Sequence, residues 1–126
     1  HVISMDVASN GGDFIISNWR HVAPQGDGVG ALRWHQLGQE AEANVGHLRG
    51  MHFIDREAVQ PRSRSVDRVY ESTEQVYYIL ENRGVLVSAD GEAEISEGDM
   101  VHIPEGMEYH IKNPYEEWFT YMIMAA

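Results

Sequence analysis

The sequence predicts an all-β domain, a sandwich or barrel of short strands. Three observations carry this. No window places apolar residues at sustained helical spacing. Short strand-like runs recur with turn signals about every ten residues. The strongest run, Gln75 to Leu80 (Q-V-Y-Y-I-L), is mostly β-branched and aromatic, and the best hairpin signal of the chain, Asp90-Gly91, follows it.

Taken in order, Val7 to Asp13 is polar and glycine-rich and reads as loop, so residues 1–13 are expected to form a loose N-terminal arm. Phe14 to Val22 reads as a strand. Ala23 to Gly30 holds Pro24, Gly26, Gly28 and Gly30 and reads as a loop. No strand-then-helix pattern frames those glycines, which excludes a phosphate-binding loop. Ala31 to Leu37 alternates apolar Leu32 and Trp34 with polar Arg33 and His35, the pattern of a strand with one wet face. On that reading His35, like His21, is a surface residue. Gly38 to Asn44 forms a helical turn at most. Val45 to Asp55 is a strand weakened at Gly50, and either of its faces can point inward; the even-numbered choice brings in His52. Arg56 to Asp67 reads as an extended crossing segment. In Gln75 to Leu80, Tyr77 and Ile79 share the face of Gln75, and Tyr78 and Leu80 share the other. Gly84 to Ser88 and Glu92 to Ser96 pair through the hairpin, and Trp118 to Met124 closes the sheet. No linker or repeat divides the chain, so residues 1–126 are read as one domain.

The composition narrows function. Nine basic residues against 20 acidic ones give a formal net charge of −11, a field that repels a phosphate backbone, so no nucleic-acid partner is expected. No apolar run is long enough to span a bilayer and no signal peptide is visible, so no membrane partner is expected either. The absence of Cys removes thiolate metal sites, disulfides and cysteine nucleophiles, and fits a cytoplasmic location. No G-x-S-x-G or H-E-x-x-H motif occurs.

The most informative stretch is Gly98 to Asn113, G-D-M-V-H-I-P-E-G-M-E-Y-H-I-K-N. Gly98, Pro104, Gly106 and Asn113 fall in the register of the second motif of the cupin superfamily, G-x5-P-x-G-x2-H-x3-N, which this stretch resembles. Gln75 to Glu81, Q-V-Y-Y-I-L-E, is similar to the E-V-Y-Y-V-L-E that ends the first cupin motif. The resemblance spans residues 45–124 and implies a small single-domain jelly-roll β-barrel. It also implies where the usual metal ligands stand, and there the chain departs from the family. The positions read Arg68, Tyr70, Gln75 and Tyr109, with His110 one residue late. A guanidinium has no lone pair to give a cation and repels it. No metal or other cofactor is therefore favoured. Were displaced histidines to hold one, iron, manganese, nickel or zinc would be the candidates.

Three readings stay open. In the first, a metal-free isomerase, cyclase or lyase acts on an oxygenated, anionic small molecule. Arg68 takes the electrostatic role of the metal, Tyr70 and Tyr109 donate protons, and His110 is the base. Gln75, Tyr77, His52 and His102 would line the substrate, although His102 also reads as a structural histidine. In the second, a bulge swings His110 inward and a metal-dependent dioxygenase results. In the third, the barrel binds a small molecule without catalysis, or only assembles. A homodimer is expected, because Tyr78, Leu80, Trp118 and Phe119 offer apolar surface off the cavity face.

Overall fold

The computed structural model describes residues 8–10, 15–38, 41 and 48–126. Among the described residues the strands are, in order, β1 (Ala8–Asn10), β2 (Ile15–Ser17), β3 (Gln25–Gly26), β4 (Ala31–Gly38), β5 (Phe53–Val59), β6 (Ser63–Arg64), β7 (Gln75–Glu81), β8 (Arg83–Ser88), β9 (Gly91–Ser96), β10 (Met100–Ile103), β11 (Tyr109–Asn113) and β12 (Phe119–Ala125). One sheet runs β10-β7-β12-β5-β4-β3 and a second runs β6-β11-β8-β9, with every pair antiparallel. The two face each other across a core of Val59, Tyr77, Ile79, Ile95, Ile103, Tyr109, Ile111, Phe119, Tyr121 and Ile123. This is the expected all-β jelly-roll barrel. Among the described residues no helix is long and apolar enough to cross a membrane.

The residues of the Gly98 to Asn113 stretch hold the two sheets in place. Pro104 ends β10, and Gly106, at φ +78°, hands its N–H to the Tyr70 carbonyl at 2.8 Å. Asn113 is fully buried, and its Nδ2 donates to the Val59, Gln60 and Glu117 carbonyls at 3.1, 3.2 and 2.7 Å. One amide thus ties the end of β5 to the loop before β12. The hairpin forms as predicted, with Ser88 opposite Gly91 at its tip.

Several local readings change. The strand expected over Phe14 to Val22 stops at Ser17, and a 3-10 turn, Trp19–His21, capped by the Asn18 side chain, replaces its second half. Residues 8–10 of the expected loose arm pair with β2; residues 1–7 and 11–13 lie outside the described residues. So do residues 39–40 and 42–47, which include most of the expected turn after Gly38 and His47. The segment read as a crossing, Arg56 to Asp67, instead continues β5 to Val59 and then forms β6. Tyr78 is exposed and Leu80 half-buried on the outer face of β7, where Met100 stands opposite Tyr78 and is also exposed.

The largest change is which face of β4 points inward. Leu32 and Trp34 face out, and the Trp19 ring meets Trp34 edge-on at 5.5 Å while the Arg56 guanidinium lies 4.2 Å over Trp19. The 3-10 turn thus gives Trp34 an apolar partner outside the barrel. Arg33 and His35 are left to face the interior.

Candidate active site

Register places the polar residues of four neighbouring strands side by side. In β4 and β5, Arg33 stands opposite Glu57 and His35 opposite Asp55. Across the next ladder Tyr121 stands opposite Glu57, and Ile123 opposite Asp55. Ile123 in turn faces Tyr77 of β7. The β4–β5 register slips by one residue between His35 and Leu37. Such a bulge ends the regular alternation. The unbroken register before it sets His35 opposite Asp55, and the bulge ends that register just beyond them.

Glu57 is the hub. It is completely buried, and it accepts from Arg68 Nη1 at 2.7 Å, from Arg68 Nη2, from Arg33 Nε at 3.3 Å and from the Tyr121 hydroxyl. Burial alone would raise its pKa, but Arg33 and Arg68 outweigh burial and hold it below the usual glutamate range. Burial likewise acts to discharge both arginines, and Glu57 more than reverses it, raising each. Arg68 also lies 3.7 Å from Asp27, whose carboxylate accepts the Val29, Gly30, Ala31 and Val66 backbone N–H groups. Burial works to raise Asp27, and those bonds, with Arg68, bring it below its ordinary value.

Beside the hub runs a tyrosine chain. The Tyr77 and Tyr109 hydroxyls are 2.7 Å apart, and Tyr109 donates to Gln75 Oε1 at 3.2 Å. Tyr77 stacks on Tyr121 with centroids 5.0 Å apart. Burial, then the charge of Glu57, push the Tyr77 phenol up to about 12. Burial also raises Tyr109 and Tyr121. A phenol whose folded pKa is raised gives stability that is whole below its unfolded value and is lost as pH rises through the folded one. The expected result is a chain that loses stability between about pH 10 and 12. In that range the 295 nm phenolate band of Tyr77, Tyr109 and Tyr121 appears only with unfolding. Full ionisation of all six tyrosines while far-UV dichroism stays native would contradict the buried chain.

A cavity of about 330 Å³ opens at the rim, walled by Arg33, His35, His52, Phe53, Asp55, Tyr70 and Thr73. His35 Nδ1 lies 2.9 Å from Asp55 Oδ2. A carboxylate only accepts, so Nδ1 is the donor in this bond, and in a neutral imidazole Nε2 is then the acceptor nitrogen. Arg33 Nη1 lies 3.5 Å from the Tyr70 hydroxyl and 3.7 Å from Asp55 Oδ2. Its charge is 5.7 Å from the Phe53 ring centroid. Arg33 Nη2 and Asp55 Oδ1 are buried and have no hydrogen-bond partner among the described residues. A larger depression of about 540 Å³ is lined by Asn82, Arg83, Ser96, Glu97 and Pro114 to Glu117. It contains no residue of the Glu57 cluster or the His35–Asp55 pair, so the smaller cavity is the candidate site.

The residues singled out from sequence fall into three groups. Arg68, Gln75, Tyr77 and Tyr109 do point into the barrel and touch one another, but they are not among the cavity walls. Tyr70 is half-buried and reaches the wall. His52 is exposed at the rim, because β5 turns its odd-numbered face inward. His110 and His102 point away: β11 continues without a bulge, His110 Nδ1 pairs with Asp67 at 3.1 Å, and His102 Nε2 lies 3.4 Å from Glu74. His35, expected on the surface, is a cavity wall with a side chain 17% exposed. Arg33, Asp55 and Glu57 were not singled out. Their signal was present as two strands whose odd-numbered positions are basic in one and acidic in the other.

The residues at the positions where the cupin resemblance puts metal ligands do not fit a divalent cation. Arg68 delivers a guanidinium there that is already bonded to Glu57, and Gln75 Oε1 already accepts from the Tyr109 hydroxyl. Among the described residues no group of three His, Asp or Glu side chains is placed to hold a metal.

No protein-family model matches the chain, and no curated protein matches it. Solved structures do. A predicted oxalate decarboxylase from Thermotoga maritima superposes with a TM-score of 0.71 at 20% identity, over 87% of this chain and 96% of that one. The polyketide cyclase RemF from Streptomyces resistomycificus gives 0.71 at 16% identity, over 87% and 77%. A sugar phosphate isomerase of a cupin superfamily from Silicibacter pomeroyi gives 0.62 at 19% identity, over 77% and 59%. At these identities the likeness is one of fold.

Proposed function

Starting from a chain that has the cupin fold, we propose that it is a small-molecule enzyme of isomerase, cyclase or lyase type that moves protons at the barrel rim without a metal. The observation that carries this is the His35–Asp55 pair, 2.9 Å apart, in the wall of a cavity that also presents Arg33 and Tyr70. In this reading His35 Nε2 is the general base that removes a proton beside a carbonyl. Asp55 holds the tautomer and balances the imidazolium that forms. The Arg33 guanidinium stabilises the enolate oxygen, and the Tyr70 hydroxyl returns a proton to the product. Glu57 fixes Arg33 from behind, so the donor needs little rearrangement when charge develops. The fold neighbours named as a cyclase and an isomerase support the reaction class, since both reactions on carbonyl compounds run through proton transfer. The donor set at the family's metal positions supports metal independence.

Deuterium wash-in tests it. Small ketones, hydroxyketones and 1,3-dicarbonyls, charged members included, are incubated with the protein in D2O and followed by proton NMR. We expect catalysed exchange at the carbon beside the carbonyl in at least one compound, undiminished by EDTA, and a loss of at least about 100-fold in His35→Gln. Exchange no faster than buffer across the panel, or equal in the variant, would count against the proposal; exchange abolished by EDTA and restored by a metal would return the metal.

A further inference from the structure

We infer that this chain pairs with a second copy of itself by exchange, each copy laying its β1–β2 hairpin on the outer face of β7 and β10 in the other. The inference does not depend on the proposed active site. Two bare apolar surfaces and the charges around them lead to it.

The first surface is a row of side chains across the outer face of the six-stranded sheet. Register sets Trp34 beside Arg56, Arg56 beside Met122, Met122 beside Tyr78 and Tyr78 beside Met100. The chain's own 3-10 turn covers only the first end of that row, where Trp19 meets Trp34 and Arg56. Toward the other end the cover runs out. Met122 is half-buried, Tyr78 is 38% exposed and Met100 is 68% exposed. Half-buried Val76, Leu80 and Met124 flank the row and widen the apolar strip. A sheet with apolar side chains on both faces is one that is covered on both. Phe119, expected to share in this surface, is instead fully buried in the core.

The second surface is the hairpin. Among the described residues β1 and β2 form a two-stranded sheet of their own and join neither barrel sheet. A hairpin standing alone is marginal in water. Ile15 and Ile16 are neighbours in β2 and point to opposite sides, and they are 42% and 53% exposed. Whichever side meets a neighbour therefore carries an isoleucine. One chain thus leaves both the hairpin and the sheet face bare, and does not fold one onto the other. A twofold pair covers all four surfaces at once and leaves none for a third copy.

Charge selects this arrangement over two outer faces set against each other. Glu74 precedes β7 and Glu81 ends it, both with exposed side chains, and Asp99 precedes Met100. In a chain of net charge −11, two such rims opposed would bring like charges together. The stretch that carries β2, Phe14 to Gly26, holds Arg20 and His21 and no acid. Laid along an acidic rim it meets attraction in place of repulsion.

Changes at these bare side chains test the exchange. Sedimentation velocity of the wild-type chain is expected to give a dimer at about 10 µM. Met100→Glu, and the double change Ile15→Glu with Ile16→Glu, are each expected to raise the dimer Kd at least tenfold with far-UV dichroism unchanged. The chain has no cysteine, so introduced ones report without background. Chains carrying Ile15→Cys or Ile16→Cys are mixed with chains carrying Met100→Cys and treated with a short bismaleimide. Each chain then has one cysteine, so every link joins two chains. At least one of the two mixtures is expected to link hairpin to face faster than either variant links to its own kind. A wild-type monomer at about 100 µM would overturn the inference. So would a dimer that the hairpin variant leaves intact, or Met100→Cys chains that link mainly to one another, the mark of two faces set together. Should a glutamate variant fail to fold, the cross-linking pattern decides.

Discussion

Arg68→Met is expected to lower the unfolding free energy by about 3–5 kcal/mol, the cost of removing one partner from a buried ion pair. Arg68 has a side chain only 9% exposed and bonds a carboxylate that is not exposed at all. Methionine fills similar volume, so packing loss is small and the effect is electrostatic. Glu57 keeps Arg33 and Tyr121 but loses its closest cation. Adding Glu57→Gln should recover roughly half of the loss, because the uncompensated charge disappears while two hydrogen bonds can persist. The pH dependence has a definite sign. Glu57 titrates below its ordinary value of 4.5 in the folded chain, so its contribution is complete above that value and is lost as pH falls through the lower folded one. The gap between wild type and Arg68→Met should therefore shrink on acidification. Chemical denaturation at pH 7 and pH 4 measures all of this. A loss under about 1 kcal/mol at pH 7 would show that Arg68 behaves as a surface residue.

Asp55→Asn is expected to reduce the proton-transfer rate by about 10³- to 10⁴-fold, with much smaller effects on folding. The side chains are nearly isosteric, but the asparagine amide can donate to His35 Nδ1. That moves the imidazole proton to Nε2 and removes the base without removing the ring. A structural role alone would lower the amount of folded enzyme and leave the pH profile of the remainder unchanged. The proposed role predicts instead that the rising limb assigned to the base is displaced or lost. Combining Asp55→Asn with His35→Gln should cost little more than the worse single change, since both disable one device. A drop of less than tenfold with an unchanged profile would remove Asp55 from the mechanism.

The sequence by itself determined the fold class, most of the strands and the fold-holding positions. Gln75 to Glu81, Asp90-Gly91 and the Gly98, Pro104, Gly106 and Asn113 series are local signals, each set by backbone geometry or by one side chain tying off nearby carbonyls. Its resemblance to the cupin motifs also implies that Arg68, Tyr70, Gln75 and Tyr109 stand where metal ligands usually do. Only the tertiary structure decided which faces of β4 and β5 are inside. Alternation in Ala31 to Leu37 is symmetric with respect to direction, and ordinary hydrophobicity sends Leu32 and Trp34 inward. The Trp19 turn covers Trp34 from the outside, while Asp55 and Glu57 compensate Arg33 and His35 within, so the polar face is the buried one. Both partners are distant in sequence, and the β4–β5 register sets the alignment at the rim. A buried charge is stable only with its partner in place, and that partner is a fact of pairing between strands, which no single stretch of chain records.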